Sequence, residues 1–172
     1  FLEERSNDAS GSVVCACLEG NRPILVEVQA LVAKTPYGMP RRTAVGFDYN
    51  RVTMLLAILE RRLGMDFGAY DAYVNVVGGM RVTEPAADLA VAAALVSSYR
   101  NRPIPHGVLV MGEVGLTGEV RRIGSPERRI KDAMNLGFTR FVLPMGKLSS
   151  DEPCNGAVQV KTLEEALDKV FA

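Results

Sequence analysis

Two stretches near the start of the chain are mostly apolar, as strands that pack in a core are. They run from Ser12 to Leu18 and from Ile24 to Lys34, and both are rich in β-branched residues. The turn-like segment from Glu19 to Pro23 separates them, so the pattern predicts a β-hairpin. After a break rich in proline and glycine, Arg41 to Phe47 is predicted to form a third strand.

Two longer segments carry helical patterns instead. Asn50 is placed to cap a helix that runs to about Leu63, with leucines and a valine recurring on one face. The segment from Ala86 to Arg100 is rich in alanine and nearly apolar around its whole girth. Such a helix has no polar face to turn to water, so we expect it to be buried.

The second half of the chain alternates strands and helices. A serine followed by proline, Ser125-Pro126, is predicted to open a helix that ends near Leu136. Thr162 begins a capping box that predicts the last helix. The predicted strands are Tyr73 to Val77, Val108 to Met111, Val120 to Ile123, Phe141 to Pro144 and Ala157 to Val160. The expected fold class is α+β, a mixed α/β domain.

Composition limits the class of protein. The chain has 172 residues, 48% of them hydrophobic, which is enough for one core. We expect one domain over residues 12–172, preceded by a linker over residues 1–11 that leads from a missing upstream domain. No apolar run approaches the roughly 20 residues that span a bilayer. The cysteines Cys15, Cys17 and Cys154 are odd in number, which favours a reducing, cytoplasmic location.

Charge is balanced overall but not along the chain. Lys plus Arg and Asp plus Glu both number 20. Residues 41–140, however, carry 14 basic and 10 acidic side chains, a surplus of four. Arginine makes up 15 of the 20 basic residues, and its planar guanidinium group suits phosphates. The distribution therefore permits a contact with nucleic acid without requiring one.

The region from Val76 to Lys131 holds two landmarks of a known protease domain. The run Thr83-Glu84-Pro85-Ala86-Ala87-Asp88 matches the Asp-Gly-Pro-Ser-Ala-Gly run around the nucleophile of Lon proteases, with Ala86 at the serine position. The later run Ile123-Gly124-Ser125-Pro126-Glu127 matches the segment that holds the partner lysine, with Glu127 at the lysine position. Together with PRRTAVGFDYNR from Pro40 to Arg51, these motifs resemble the C-terminal Lon-protease-like domain of the bacterial RadA (Sms) family.

This resemblance implies a degenerate protease fold with no catalytic residues in this chain. It also implies a parent DNA repair ATPase that promotes branch migration in homologous recombination. That parent would carry a zinc finger and a RecA-like domain that binds ATP and Mg, would form a ring, expected to be a hexamer, and would act with a RecA-type recombinase on single-stranded or branched DNA. The present chain has no phosphate-binding loop of the G-x-x-x-x-G-K-[ST] type.

Paired arginines are the candidates for DNA contact. A patch is predicted from one residue of each strand pair together with a helical pair three residues apart. The candidates are Arg41, Arg42, Arg121, Arg122, Arg128, Arg129 and Lys131. For any single arginine, a solvated face with neighbouring carboxylates is the simpler interpretation. Two other functions remain open: a residual peptidase or small-ligand enzyme in the old protease cleft, and a protein-interaction scaffold without DNA contact.

Overall fold

A computed structural model describes residues 8–148 and 156–172 of the chain. Nine strands and four α-helices lie within these described residues. In chain order they are β1 Ser12–Glu19, β2 Arg22–Lys34, β3 Arg42–Val45, α1 Tyr49–Leu63, β4 Tyr70–Val76, α2 Asp88–Arg100, β5 Val108–Val110, β6 Glu113–Val114, β7 Val120–Arg121, α3 Pro126–Asn135, β8 Arg140–Pro144, β9 Ala157–Val160 and α4 Leu163–Phe171.

Seven of the described strands form one mixed sheet in the order β3-β4-β2-β1-β5-β8-β9. β1 and β2 are the predicted hairpin, paired antiparallel from Ser12 opposite Gln29 to Glu19 opposite Arg22. β2 also pairs antiparallel with β4, while every other neighbouring pair is parallel. Six strands therefore run in one direction, and their carboxyl ends meet at one edge of the sheet.

The core lies between the sheet and its helices. α2 packs against β1, β2 and the helices α1 and α4, and α3 packs against β1 and β2. Every residue of α2 from Asp88 to Ser97 is buried, as its apolar girth predicts. All of β1 from Val13 to Cys17 is buried as well, so this central strand is covered on both faces. The mixed α/β class expected from the sequence is confirmed.

Several predicted boundaries were wrong for local reasons. α1 is capped by Asp48, whose Oδ1 accepts the backbone N–H of Asn50, and not by Asn50 itself. Ser125 precedes α3 in the left-handed region, with φ of 53°, and its side chain makes no capping hydrogen bond. Ala86 lies in a 3-10 turn, Pro85–Ala87, that precedes α2. Strand β6 is too short to carry an alternating pattern and was not predicted.

Other predictions hold or fall outside the described residues. Thr162 caps α4, since its hydroxyl accepts the backbone N–H of Glu165. Cys154 and most of the predicted linker lie outside the described residues, so the linker stays a prediction. Gly11 at its end is held by the domain, because its N–H donates to the Ser97 hydroxyl and its carbonyl accepts from Ala30. Among the described residues no helix is long and apolar enough to cross a membrane.

Candidate functional site at the carboxyl edge of the sheet

The turn that holds Ala86 lies directly beside the end of β5. The N–H of Gly112 donates to the carbonyl of Ala86 over 2.8 Å, and the N–H of Leu89 donates to the carbonyl of Gly112 over 3.0 Å. A Cβ at Gly112 would lie 2.8 Å from Cγ1 of Val120, closer than packed carbon atoms approach, so only glycine fits here. Ala86 is thus fixed at the start of α2 and is 3% exposed.

An ion pair with a fully buried carboxylate lies two residues further along. The carboxylate of Asp88, the first residue of α2, pairs with the guanidinium of Arg51 on α1 and also accepts the backbone N–H of Val114. Burial raises the pKa of Asp88 above its ordinary value, while the hydrogen bonds from Arg51 and Val114 act in the opposite direction. The hydrogen bond to Asp88 raises the pKa of Arg51. The pair ties α1, α2 and β6 together.

A second ion pair joins the Ala86 turn to α3. The guanidinium of Arg129 pairs with Glu84 and also donates to the carbonyls of Ala16 and Gly124, over 2.9 and 2.8 Å. Glu84 lies two residues before Ala86 and Arg129 two residues after Glu127. The pair therefore brings together the two segments that resemble those of the Lon serine and lysine.

Arg129 was predicted as a DNA contact, and the structure places it in the interior. Its side chain is 1% exposed, and the fork of the guanidinium is used on protein acceptors. Adjacent residues on a helix point in different directions, so one arginine of the Arg128-Arg129 pair can be buried while the other is exposed. The sequence does not show which of the two is buried. Arg129 is not available to a phosphate in this structure.

The other basic candidates separate into two groups. Arg121, Arg122, Arg128 and Lys131 are exposed. The first two lie at the end of β7, which adjoins the end of β9 through a hydrogen bond from Val120 to Lys161. Arg128 donates to the carbonyl of Asn21 in the β1–β2 turn. These four residues belong to the carboxyl-edge side of the molecule.

Arg41 and Arg42 lie at the opposite edge, where β3 begins beside the start of β4. Arg42 is half-buried, and its guanidinium donates to the carbonyls of Tyr70 and Phe67 over 2.5 and 2.8 Å. Arg41 is exposed, and its N–H donates to Asp71 over 2.7 Å. The structure therefore does not bring both arginine pairs and α3 into one patch, because β3 begins at one edge of the sheet while the β6–β7 pair follows the carboxyl end of β5 at the other. DNA contact through Arg41 or Arg42 stays a prediction.

An open cleft of about 500 Å³ lies next to the Glu84–Arg129 pair. One wall is the end of the β1–β2 hairpin, including Cys17 and Ile24, and the other is the segment from Met80 to Glu84. Sequence reasoning did not find this cleft, since its walls come from segments about 60 residues apart. Only the Thr83–Asp88 run marked its neighbourhood.

Fold and site together define a mixed α/β domain whose carboxyl edge is held by two ion pairs, each with one buried partner, and carries an alanine at the start of its central helix. A family model described as "Subunit ChlI of Mg-chelatase" matches residues 28–147, and the chain belongs to this family.

Curated relatives match almost the whole chain. The protein named DNA repair protein RadA in Halalkalibacterium halodurans is 47% identical over 98% of this chain and 37% of its own length. The protein of the same name in Pseudomonas aeruginosa is 48% identical over 99% of this chain and 38% of its own length. The one in Streptococcus pneumoniae is 45% identical over 100% of this chain and 41% of its own length. The chain thus spans about two fifths of the length of these relatives.

Proposed function

We propose that this chain is the noncatalytic, Lon-protease-like C-terminal domain of a RadA-type, ATP-dependent DNA repair protein that promotes branch migration. In this role it helps to assemble a ring, expected to be a hexamer, and contacts DNA. The observation that carries the Lon-like, noncatalytic part of the proposal is the Glu84–Arg129 pair. It holds the Ala86 turn against the helix of Glu127, as a serine and lysine dyad would require, although neither residue of that dyad is present. The names of the relatives support the DNA repair role.

The absence of catalysis follows from chemistry. In a Ser–Lys dyad a neutral amine takes the proton of the attacking hydroxyl. The methyl group of Ala86 has no lone pair with which to attack. Glu127 lies in the first turn of α3, where a carboxylate is stabilised by the helix dipole, and this gives it a local reason to be present. A residual peptidase would need a nucleophile that Ala86 does not supply.

Cofactors belong to the parent protein in this proposal. The chain lacks a phosphate-binding loop: Gly146-Lys147 is followed by leucine and no glycine stands five residues earlier. ATP, Mg and the zinc finger are therefore assigned to the rest of the parent, as is any contact with a RecA-type recombinase. A cytoplasmic location is part of the same proposal.

DNA contact is assigned to the exposed basic residues of the carboxyl edge. Arg121, Arg122, Arg128 and Lys131 present their charges to solvent there. Aromatic residues make up only 6% of the chain, which leaves few rings for stacking bases. We therefore expect contact with the phosphate backbone and little base preference, with an affinity that falls as salt rises.

The test compares charge reversal at the two edges of the sheet. Changing Arg121, Arg122, Arg128 and Lys131 to Glu in the parent protein should weaken DNA binding. The slope of log K against log salt concentration should become shallower by about 0.7 to 0.9 for each phosphate that is no longer neutralised. Each substitution is also made singly, and Arg41→Glu at the opposite edge is the control for a single charge reversal. Titrations of a labelled single strand and a branched DNA at several salt concentrations measure both quantities. Unchanged affinity and slope in the fourfold variant would remove DNA binding at this edge.

A protein-interaction scaffold without DNA contact is the second candidate. The observation in its favour is an exposed apolar loop before β3, where Tyr37 is 91% and Met39 88% exposed. Val45 on the edge strand β3 is exposed as well. An exposed strand edge beside large apolar side chains is typical of a surface that binds another chain. In the scaffold case the DNA titrations above would show no effect, while assembly would depend on this loop.

A further inference from the structure

A cavity of about 290 Å³ lies on the outer face of β2, beside the start of β1. Glu27, Gln29 and Leu31 line it, and because they are two residues apart in the strand they share this face. Val28 and Ala30, which alternate with them, are buried in the core. Leu31 is 59% exposed, so solvent reaches this part of the face.

One side chain that lines this cavity is a buried carboxylate. Glu27 is 4% exposed, and its Oε2 accepts hydrogen bonds from the hydroxyl of Ser12, over 2.6 Å, and from the side-chain amide of Gln29, over 3.0 Å. Both donors are neutral, and no cation within residues 8–148 and 156–172 pairs with Glu27. Its Oε1 accepts no hydrogen bond from the described residues and is not closed off from solvent. This oxygen is therefore available to a ligand.

The charge of Glu27 selects the sign of that ligand. Burying a carboxylate is costly unless it is paired with a cation, and two neutral hydrogen bonds offset only part of the cost. A cation beside Oε1 gains more from the attraction than it would in water, because the surroundings of a buried group have a lower dielectric constant. The cavity therefore favours a cationic ligand over a neutral or an anionic one.

The other walls of the cavity favour a guanidinium group among the cations. Tyr73 and Asn75 of β4 line it, and they lie across the sheet from Leu31 and Gln29, respectively. A tyrosine ring attracts a cation over its face, and the side-chain carbonyl of Asn75 can accept an N–H. A guanidinium group is planar, weakly hydrated and rich in donors, whereas an ammonium group is a strongly hydrated point charge. The combination of carboxylate, amide and ring therefore suits guanidinium better.

We propose that this cavity is a binding site for a guanidinium group. Oε1 of Glu27 is its charge partner, Asn75 is a second acceptor, and Tyr73 and Leu31 pack against the plane of the group and its alkyl stem. The group belongs either to an arginine side chain of a neighbouring subunit or to a small free molecule. The site lies beside the start of β1 and away from the carboxyl edge, so it does not depend on the DNA contact proposed above.

Titration of the chain with propylguanidine tests this site. Propylurea, which has nearly the same shape and no charge, is the matched control ligand. In two-dimensional amide NMR spectra we expect the backbone N–H signals of Ser12, Glu27 and Gln29 to shift saturably with propylguanidine and not with propylurea. A single small group binds weakly, so the expected dissociation constant is on the order of 1 mM. No saturable shift, or equal shifts with the two ligands, would overturn the proposal.

Glu27→Gln removes the charge and keeps the shape of the side chain. It should weaken the binding of propylguanidine about ten- to hundredfold, which is the worth of a hydrogen bond to a charged group. Glu60→Gln, at an exposed carboxylate on α1, is the control and should leave the binding unchanged. Undiminished binding by folded Glu27→Gln protein would contradict the proposal. The comparison of the two ligands needs no variant, so it decides the question if Glu27→Gln does not fold.

The source of the group is decided by sedimentation velocity of the parent protein. If a neighbouring subunit supplies an arginine, Glu27→Gln should lower the fraction of oligomer, and propylguanidine should do the same to the unmodified parent. This measurement rests on the ring assembly proposed above, whereas the titration of the chain does not. Assembly that is unaffected by both changes, together with binding of propylguanidine to the chain, assigns the site to a small free molecule.

Discussion

Ala86 carries a methyl group at the start of the central helix. We expect Ala86→Ser to leave the protein without peptidase activity, because Glu127 cannot act as the missing amine base. Adding Glu127→Lys should also fail, since Asp88 binds the N–H of Val114 beside this turn and replaces a glycine of the Lon run. Turnover of an unfolded, fluorescently labelled protein substrate measures the result. Cleavage by the single variant would show that another side chain acts as base.

Asp71 should make the free energy of unfolding of the domain depend on pH. The backbone N–H of Arg41, followed by the hydroxyl of Thr35, holds the pKa of Asp71 below its ordinary value. A lowered pKa in the folded state means that the ionised form adds stability above the pKa of the unfolded chain, and that this stability disappears as pH falls through the folded value. Denaturant unfolding at pH 7 and at low pH should therefore show Asp71→Asn to be destabilising at neutral pH only.

An exposed carboxylate is the control for this effect. Asp168 on α4 is exposed, and Asp168→Asn should change the free energy of unfolding little at either pH. If Asp71→Asn and Asp168→Asn show the same pH dependence, the contacts of Asp71 with Arg41 and Thr35 do not stabilise its charge.

α3 gives adjacent residues different surroundings. Arg129 points inward to Glu84, while its neighbour Arg128 is exposed and donates to the carbonyl of Asn21. Arg129→Ala removes the cation paired with Glu84 and the donor to the carbonyl of Ala16, and should cost about 1 to 3 kcal/mol of unfolding free energy. Arg128→Ala, the matched control, should cost less than about 1 kcal/mol. Chemical denaturation of both variants measures the difference. Equal costs would contradict the structural role assigned to Arg129.

At the scale of the whole molecule, the strand β3 forms one edge of the seven-stranded sheet. The exposed side chains of Tyr37 and Met39 lie in the loop that precedes it. A ring uses one pair of unlike surfaces repeatedly, and this edge is the surface on which we expect self-association to depend. Tyr37→Ser with Met39→Ser should lower the fraction of oligomer in sedimentation velocity of the parent protein. Leu136→Ser, which changes an exposed apolar residue after α3, is the control. An oligomer unaffected by the double variant would exclude this loop from the assembly interface.

Local patterns predicted most of the elements. The β1–β2 hairpin follows from two β-branched stretches around a turn signal, the burial of α2 from its lack of a polar face, and the cap at Thr162 from capping chemistry. All of these act within a few residues. The pairing of β6 with β7 escaped prediction because two residues show no period. The cap at Asp48 escaped because Asp48 and Asn50 are both good capping residues, and only the backbone angles distinguish them.

The candidate site was only half visible in the sequence. Ala86 and Glu127 stood out because their surroundings resemble a known motif, but their neighbourhood depends on an ion pair between Glu84 and Arg129, which lie 45 residues apart. The cleft beside this ion pair was not visible in the sequence, because its walls come from segments about 60 residues apart.

The sequence by itself determined the element types, the burial of α2 and the absence of a nucleophile at Ala86, because these depend on residue chemistry and short-range periodicity. Only the tertiary structure decided which arginines are exposed. Arg41 and Arg121 look equivalent in the sequence, yet Arg41 precedes β3 at one edge and Arg121 lies on the β6–β7 pair beyond the carboxyl end of β5 at the other. Arg128 and Arg129 differ only in the direction in which a helix points them. Charge along a chain is a local property, whereas its exposure and its neighbours depend on packing between distant segments.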